Sequence, residues 1–468
     1  MGWTNSLTKK STSFLAIFVI AIYLIFQGNI YDPQWILAAV IIFIIAISLV
    51  KSLSAKWKSL YEQRFINKLF WNSFVLRLIA MLILLIISIS TPGWDMLFYV
   101  GARDPQKYYR VASEASVILS NFSISDAYQH IYESYYMDIS DTGFSSFLTI
   151  LIYLFGGSPV LIKIILCFIG TIVVIRGYKL ALLVFDQNVA RLAAIFLMLY
   201  PISWFYSSVL LKESLMTLLI IEAIIIIVKL QRTFSLMQLV KVLIIIILIF
   251  LFRSAISILL VMVLVFSSVM QYKRKQFILN ILAAGIIIAI YFYFLVSTGR
   301  YGEYYNQYTA VEEYSEGRLS YMESINPLVA VAGTPVFAVL AFIAPFPSIV
   351  KVPVEGGLSH NEYYYHIAGN LFWIVLAFFS FYGLYYAIRY HRQEMAPVWS
   401  FIIGYQFILL KAMMFTSVRF SYPAKPFLLI LAAYGIYQIK DKKWYSLYLV
   451  AALLMIIVWN YVRLKGRG

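Results

Sequence analysis

Apolar runs of about 20 residues, the length that spans a bilayer's hydrocarbon core, follow one another along most of this chain. The connections between them are short and hold many of its lysines and arginines. Of the residues, 62% are hydrophobic and only 12% charged, which excludes a set of soluble domains and points to one large membrane domain. The net charge of +16 is then a topology signal and not a nucleic-acid footprint, because basic connections stay on the cytoplasmic side. The predicted fold class is an all-α polytopic membrane protein of about thirteen transmembrane helices, with interfacial and re-entrant helices on the external face. A single cysteine, Cys167, lies inside an apolar run, so no intrachain disulfide or cysteine metal framework is possible.

Residues 1–73 read as two N-terminal spans followed by a basic connection with Lys51, Lys56, Lys58, Arg64 and Lys68. That connection is expected in the cytoplasm of a multi-pass plasma (inner) membrane protein. Residues 74–438 form the main membrane domain, and residues 439–468 a last span with a basic tail. The external face then receives three loops, 91–144, 297–326 and 348–366. Residues 143–155 are apolar but too short for a span, so they are expected to be interfacial or re-entrant. The same reading is given to residues 327–347, which are broken by Pro335, Pro345 and Pro347. Glu222 sits near mid-membrane, where an ionisable group is costly, and is expected to have an interhelical partner.

The first external loop carries the chemistry. It holds Asp95, Asp104, Glu114, Asp126, Glu133, Asp138 and Asp141 among many tyrosines. Asp104-Pro105 predicts a helix start, with Val111, Ala115, Ile118 and Phe122 on one face and Lys107, Arg110 and Glu114 turned to water. Asp104 is either a capping residue or a catalytic carboxylate. Lys212 and Glu213 form an opposite pair at the outer end of a span, and Arg419 lies at another outer turn. A carboxylate base, hydroxyl-binding tyrosines and a cationic phosphate clamp suit sugar transfer from a lipid phosphate.

The segment Asp104-Pro-Gln-Lys-Tyr108-Tyr109-Arg-Val-Ala112, following an outward span, resembles the first external loop of the GT-C glycosyltransferases. The resemblance is to family 39, the polyprenyl-phosphate-sugar-dependent enzymes that include protein O-mannosyltransferases and the lipid A aminoarabinose transferase. Phe155-Gly156, Leu183 through Asp186, Tyr200-Pro201, and Arg419 through Pro423 to Pro426 continue it in order. It implies a glycosyltransferase using a polyprenyl-phosphate-linked sugar donor and a glycan, lipid or protein acceptor. It also implies Asp104 or Asp95 as the catalytic aspartate, with Lys212, Glu213, Arg419, Tyr108, Tyr109 and Arg318 binding substrate or phosphate. Two features depart from the family: the two added N-terminal spans, and the nine-residue separation of Asp95 and Asp104.

A divalent cation is a possible cofactor, with Asp95, Asp104, Glu114 and Glu133 as oxygen donors. The rival readings are a polysaccharide polymerase (O-antigen or exopolysaccharide) with the same donor chemistry, and a lipid or polysaccharide transporter. Transport would call for internal repeats and ionisable groups at mid-depth. No repeated unit is visible, and such groups are few.

Overall fold

The structure is a computed structural model, and it describes residues 2–30, 33–90, 103–270, 339–350, 362–411, 417–439 and 443–465, with a few single positions between. Asp95, Arg318, most of residues 327–347 and most of a further apolar run at 277–296 lie outside the described residues. Those that are described are helical, apart from short connections and one isolated bridge between Ile30 and Val350.

Three long helices come first: α1 (Gly2–Ile25), α2 (Pro33–Lys56) and α3 (Glu62–Ser90). Two helices of the polar loop follow, α4 (Arg103–Ser120) and α5 (Ile124–Ser134), and then α6 (Thr142–Phe155). The bundle resumes with α7 (Pro159–Val184), α8 (Gln187–Leu199), α9 (Pro201–Ser208) and α10 (Glu213–Arg232). A tight hairpin of α11 (Leu236–Phe250) and α12 (Ser254–Val269) packs beside α10. After the interval outside description come α13 (Glu362–Tyr390), α14 (Ala396–Lys411), the short α15 (Val418–Ser421), α16 (Lys425–Gln438) and α17 (Lys443–Lys465).

Six described helices are long and apolar enough to cross a membrane, or seven if α8 and α9 count as one span bent by 54°. The expectation of about thirteen is therefore not met among the described residues. α11, α12 and α14 are apolar yet shorter than the 18 residues of a full crossing, and the run at 277–296 is not described. The bend in α8–α9 sits where Pro201 begins a helix and Tyr200 stays extended, since proline cannot continue the preceding hydrogen-bond ladder.

The bundle has two chemically distinct ends. At one, Arg191 at the start of α8 donates to the carbonyls of Trp57, Lys58 and Leu60 in the α2–α3 turn. Arg232 closes the end of α10 onto the Leu183 carbonyl, and Phe185 stacks on Tyr434 at 4.3 Å. Lys56 and Arg389 end their helices there as well. The opposite end gathers the starts of α4, α10 and α12 and the turn that holds α15.

α6 does not cross. It begins beside the α11–α12 turn, where Gly143 N donates to Leu251 O at 2.9 Å, and ends at Gly157, whose carbonyl accepts from Tyr109 of α4. Both its ends therefore lie at the α4 end of the bundle. Gly156, with φ +78°, makes the reversal that sends α7 back through the bundle. Glu222 does have an interhelical partner: Arg176 of α7 grips it with two guanidinium nitrogens.

If the basic end is cytoplasmic, a cysteine replacing Ser123 should react with an impermeant thiol reagent in intact cells, and one replacing Ser59 should not. Labelling at Ser59 with Ser123 protected reverses the orientation.

Candidate functional site

Five charged side chains from five separate parts of the chain, Asp104, Asp141, Lys212, Arg253 and Arg419, line one cavity of about 290 Å³ at the loop end of the bundle. Arg419 is the hinge of the arrangement. Its Nη1 bonds the Asp104 carboxylate on α4, and its Nε bonds Glu213 on α10. Lys212, one residue earlier, turns the other way and bonds Asp141, while also donating to Phe252 O at 2.8 Å.

Local sequence explains how each group reaches the cavity. Asp104 lies in the first turn of α4, where a carboxylate is favoured by the helix dipole. The expectation that it might be the cap is corrected, because the helix already begins at Arg103 and the carboxylate is engaged by Arg419. Glu213 opens α10 and has the same dipole advantage. Its side chain is fully buried, and its second oxygen, Oε2, has no hydrogen-bond partner among the described residues. Asp141 ends a 3₁₀ turn, Ile139–Asp141, which Asp138 fixes by accepting from Ser140 N at 2.8 Å. Gly143 lets that turn dock, since a Cβ there would stand 2.9 Å from Leu251 Cβ and Leu251 O. Arg419 occupies an irregular stretch where α15 passes through the 3₁₀ turn Tyr422–Ala424 into α16, with Pro423 and Pro426 preventing one continuous helix.

Tyr108 is buried against Phe144, with ring centroids 5.2 Å apart, and lines the cavity. Burial and the neighbouring Asp141 push its phenol well above the ordinary tyrosine value, so it presents a neutral O–H. Burial pushes the Lys212 ammonium below the ordinary lysine value, and Asp141 acts against that. Lys212 therefore loses its charge at a lower pH than an exposed lysine would.

Of the residues expected from sequence, Asp104, Tyr108, Lys212 and Arg419 line the cavity, and Glu213 backs it through Arg419. Tyr109 does not line it: its hydroxyl is committed to the Gly157 carbonyl and fastens α4 to the α6–α7 turn. Two charged cavity residues were not among the site residues expected from sequence, Asp141 and Arg253. Arg253 stands alone between the apolar helices α11 and α12, with its guanidinium 4.6 Å from the centre of the Phe420 ring. An arginine between two apolar runs was the available signal. Among the described residues Arg253 has no carboxylate within ion-pair distance, unlike Lys212 and Arg419.

Of the carboxylates considered as metal donors, the three that are described, Asp104, Glu114 and Glu133, each have a separate partner. Glu114 Oε2 lies 3.0 Å from His130 Nε2, Glu133 accepts from Gln129 at 2.7 Å, and Asp104 is held by Arg419. Among the described residues no three His, Cys, Asp or Glu side chains are grouped as metal ligands.

No protein-family model matches the chain, and no curated protein matches it by sequence. Among solved structures it is similar to the archaeal oligosaccharyltransferase AglB from Archaeoglobus fulgidus, determined with an inhibitory peptide and a dolichol-phosphate. That match has 14% identity and a TM-score of 0.48, and covers 87% of this chain. The chain spans 56% of the oligosaccharyltransferase's length, and a likeness of this degree speaks to neither substrate nor chemistry.

Proposed function

We propose that the protein is a membrane glycosyltransferase that moves a sugar from a polyprenyl-phosphate donor to a glycan, lipid or protein acceptor at the external face. The observation that carries this reading is the cavity itself, where Asp104 and Asp141 face Arg419, Lys212 and Arg253 at the end of an apolar bundle. A lipid-borne donor reaches such a site from the bilayer, which accounts for a small polar cavity inside so apolar a chain.

In the proposed reaction, Asp104 takes the proton of an acceptor hydroxyl as the acceptor oxygen attacks the anomeric carbon. The bond from that carbon to the phosphate oxygen breaks, and polyprenyl phosphate leaves with the electron pair. Arg253, Arg419 and Lys212 offer donors to the departing phosphate, where positive charge is worth most as negative charge develops. Tyr108 offers its neutral hydroxyl to a sugar oxygen.

The test uses the full chain in vesicles supplied with a panel of polyprenyl-phosphate hexoses labelled in the sugar. Release of free polyprenyl phosphate together with loss of label from the lipid is the expected result. Passage of the intact labelled lipid across the bilayer without phosphate release would overturn the proposal in favour of transport.

A further inference from the structure

Arg77 stands in the interior of α3, inside a membrane-length apolar helix, with a side chain 1% exposed. A charge at such a position is costly and is usually kept for a partner or a purpose. Arg77 has no carboxylate within ion-pair distance among the described residues. Its donors go to hydroxyls and one carbonyl instead. Nη1 donates to Ser73 Oγ at 2.5 Å and to Ser73 O at 3.1 Å, Nη2 to Ser203 Oγ at 3.1 Å, and Nε to Ser207 Oγ at 3.3 Å. Ser208 Oγ returns a hydrogen bond to Arg77 O at 3.4 Å.

Ser203, Ser207 and Ser208 all belong to α9, the limb beyond the 54° bend. Four residues after its end come Lys212 and then Glu213. Ser207 Oγ also lies 3.4 Å from Ser214 Oγ, the residue following Glu213. The guanidinium thus ties successive turns of α9 to α3, and the tie continues to the first turn of α10. Apolar packing could hold two helices together at less cost than a buried charge, but it would not fix their register by direction. Space for the cage comes from α7: a Cβ at Gly170 would collide with Ser207 Oγ and stand 2.9 Å from Arg77 Nε.

The geometry points to Arg77 as a positioning residue that sets α9 against α3 and so places Lys212 and Glu213 at the cavity. Its importance for catalysis rests on the transferase reading, whereas the placement of Lys212 can be tested without it.

Two variants separate the possibilities. Arg77→Lys keeps the charge but cannot make the three-sided fork. Gly170→Ala crowds the cage from α7, against Ser207 Oγ and Arg77 Nε, while replacing neither Arg77 nor a cavity residue. Competitive labelling with acetic anhydride across pH, read lysine by lysine by mass spectrometry, reports both the access and the titration of Lys212. In both variants the plateau labelling rate of Lys212 should rise about tenfold as local protection is lost. Its midpoint should move to higher pH, because a less buried ammonium returns toward the ordinary lysine value. Lys58 and Lys229, at the other end of the bundle, should be unchanged. Unaltered Lys212 labelling in both variants overturns the inference, and so does an equal rise at all three lysines, which would make the cage a general fold element. If Lys212 responds as expected but the parent releases no polyprenyl phosphate, the positioning role stands and the transferase reading falls.

Discussion

Asp104→Asn should insert normally, bind a polyprenyl-phosphate donor, and lose sugar transfer by about 10²–10⁴-fold, the usual contribution of a general base. The substitution also removes one arm of the Arg419 ion pair, and the magnitudes tell the two effects apart. Asp104 is half exposed in that pair, so the pair contributes about 0–1 kcal/mol to stability. A loss that small leaves nearly all molecules folded, and it cannot imitate a rate loss of several hundredfold. The measurement is single-turnover transfer per folded molecule, alongside a thermal midpoint. Parental activity in Asp104→Asn removes Asp104 as the base. Asp141 would then be the next candidate because it lines the same cavity, followed by Asp95, which lies outside the described residues. Glu114 and Glu133 drop behind them, since each is occupied elsewhere by His130 or Gln129.

The second large effect is expected at Arg419. Arg419→Ala strands Glu213, a fully buried carboxylate whose Oε2 already has no hydrogen-bond partner among the described residues. Breaking a buried pair from one side costs about 3–5 kcal/mol, so this variant should be both less stable and inactive. Activity alone therefore says little. The informative protein is the double variant Arg419→Ala with Glu213→Gln, which no longer buries an unpaired charge. Its thermal midpoint should recover most of the loss, while donor use stays far below the parent. Recovery of both would reduce Arg419 to a structural partner of Glu213 and remove it from the phosphate clamp. Arg419→Lys should restore transfer only in part, because an ammonium cannot reach Asp104 and Glu213 with two fixed nitrogens.

How far the sequence could be read depended on the range of each interaction. Apolar run length marked the helices long enough to cross, and the short apolar stretch after Gly143 forms a helix below that length, because span length is a local property. Glu222 advertised a partner by its depth alone, and Arg176 supplies it. The site was legible only by residue type. Lys212 and Glu213 stood out as an opposite pair, yet they do not act as a pair: each turns to a separate partner, 71 and 206 residues away. Convergence of that kind is set by helix packing and leaves no local pattern. Tyr109 illustrates the reverse. It shares a motif with Tyr108, but helical geometry sends neighbouring side chains in different directions, so one lines the cavity and the other fastens a turn. Arg253 and Asp141 were missed because a cation in a hairpin and an acid in a 3₁₀ turn acquire meaning only once Gly143 has docked the loop.

The long reach of Arg419 has a consequence for biosynthesis. Glu213 enters the membrane with its helix 206 residues before its partner is made. At roughly 5–20 residues per second, the ribosome leaves that carboxylate without Arg419 for about 10–40 seconds. Throughout that time the first half of the bundle carries an unmatched acid at the end where the cavity later forms. The cavity end thus closes only once α15 has been made, and a chain stopped before α15 would carry every helix of the first half but no completed cavity.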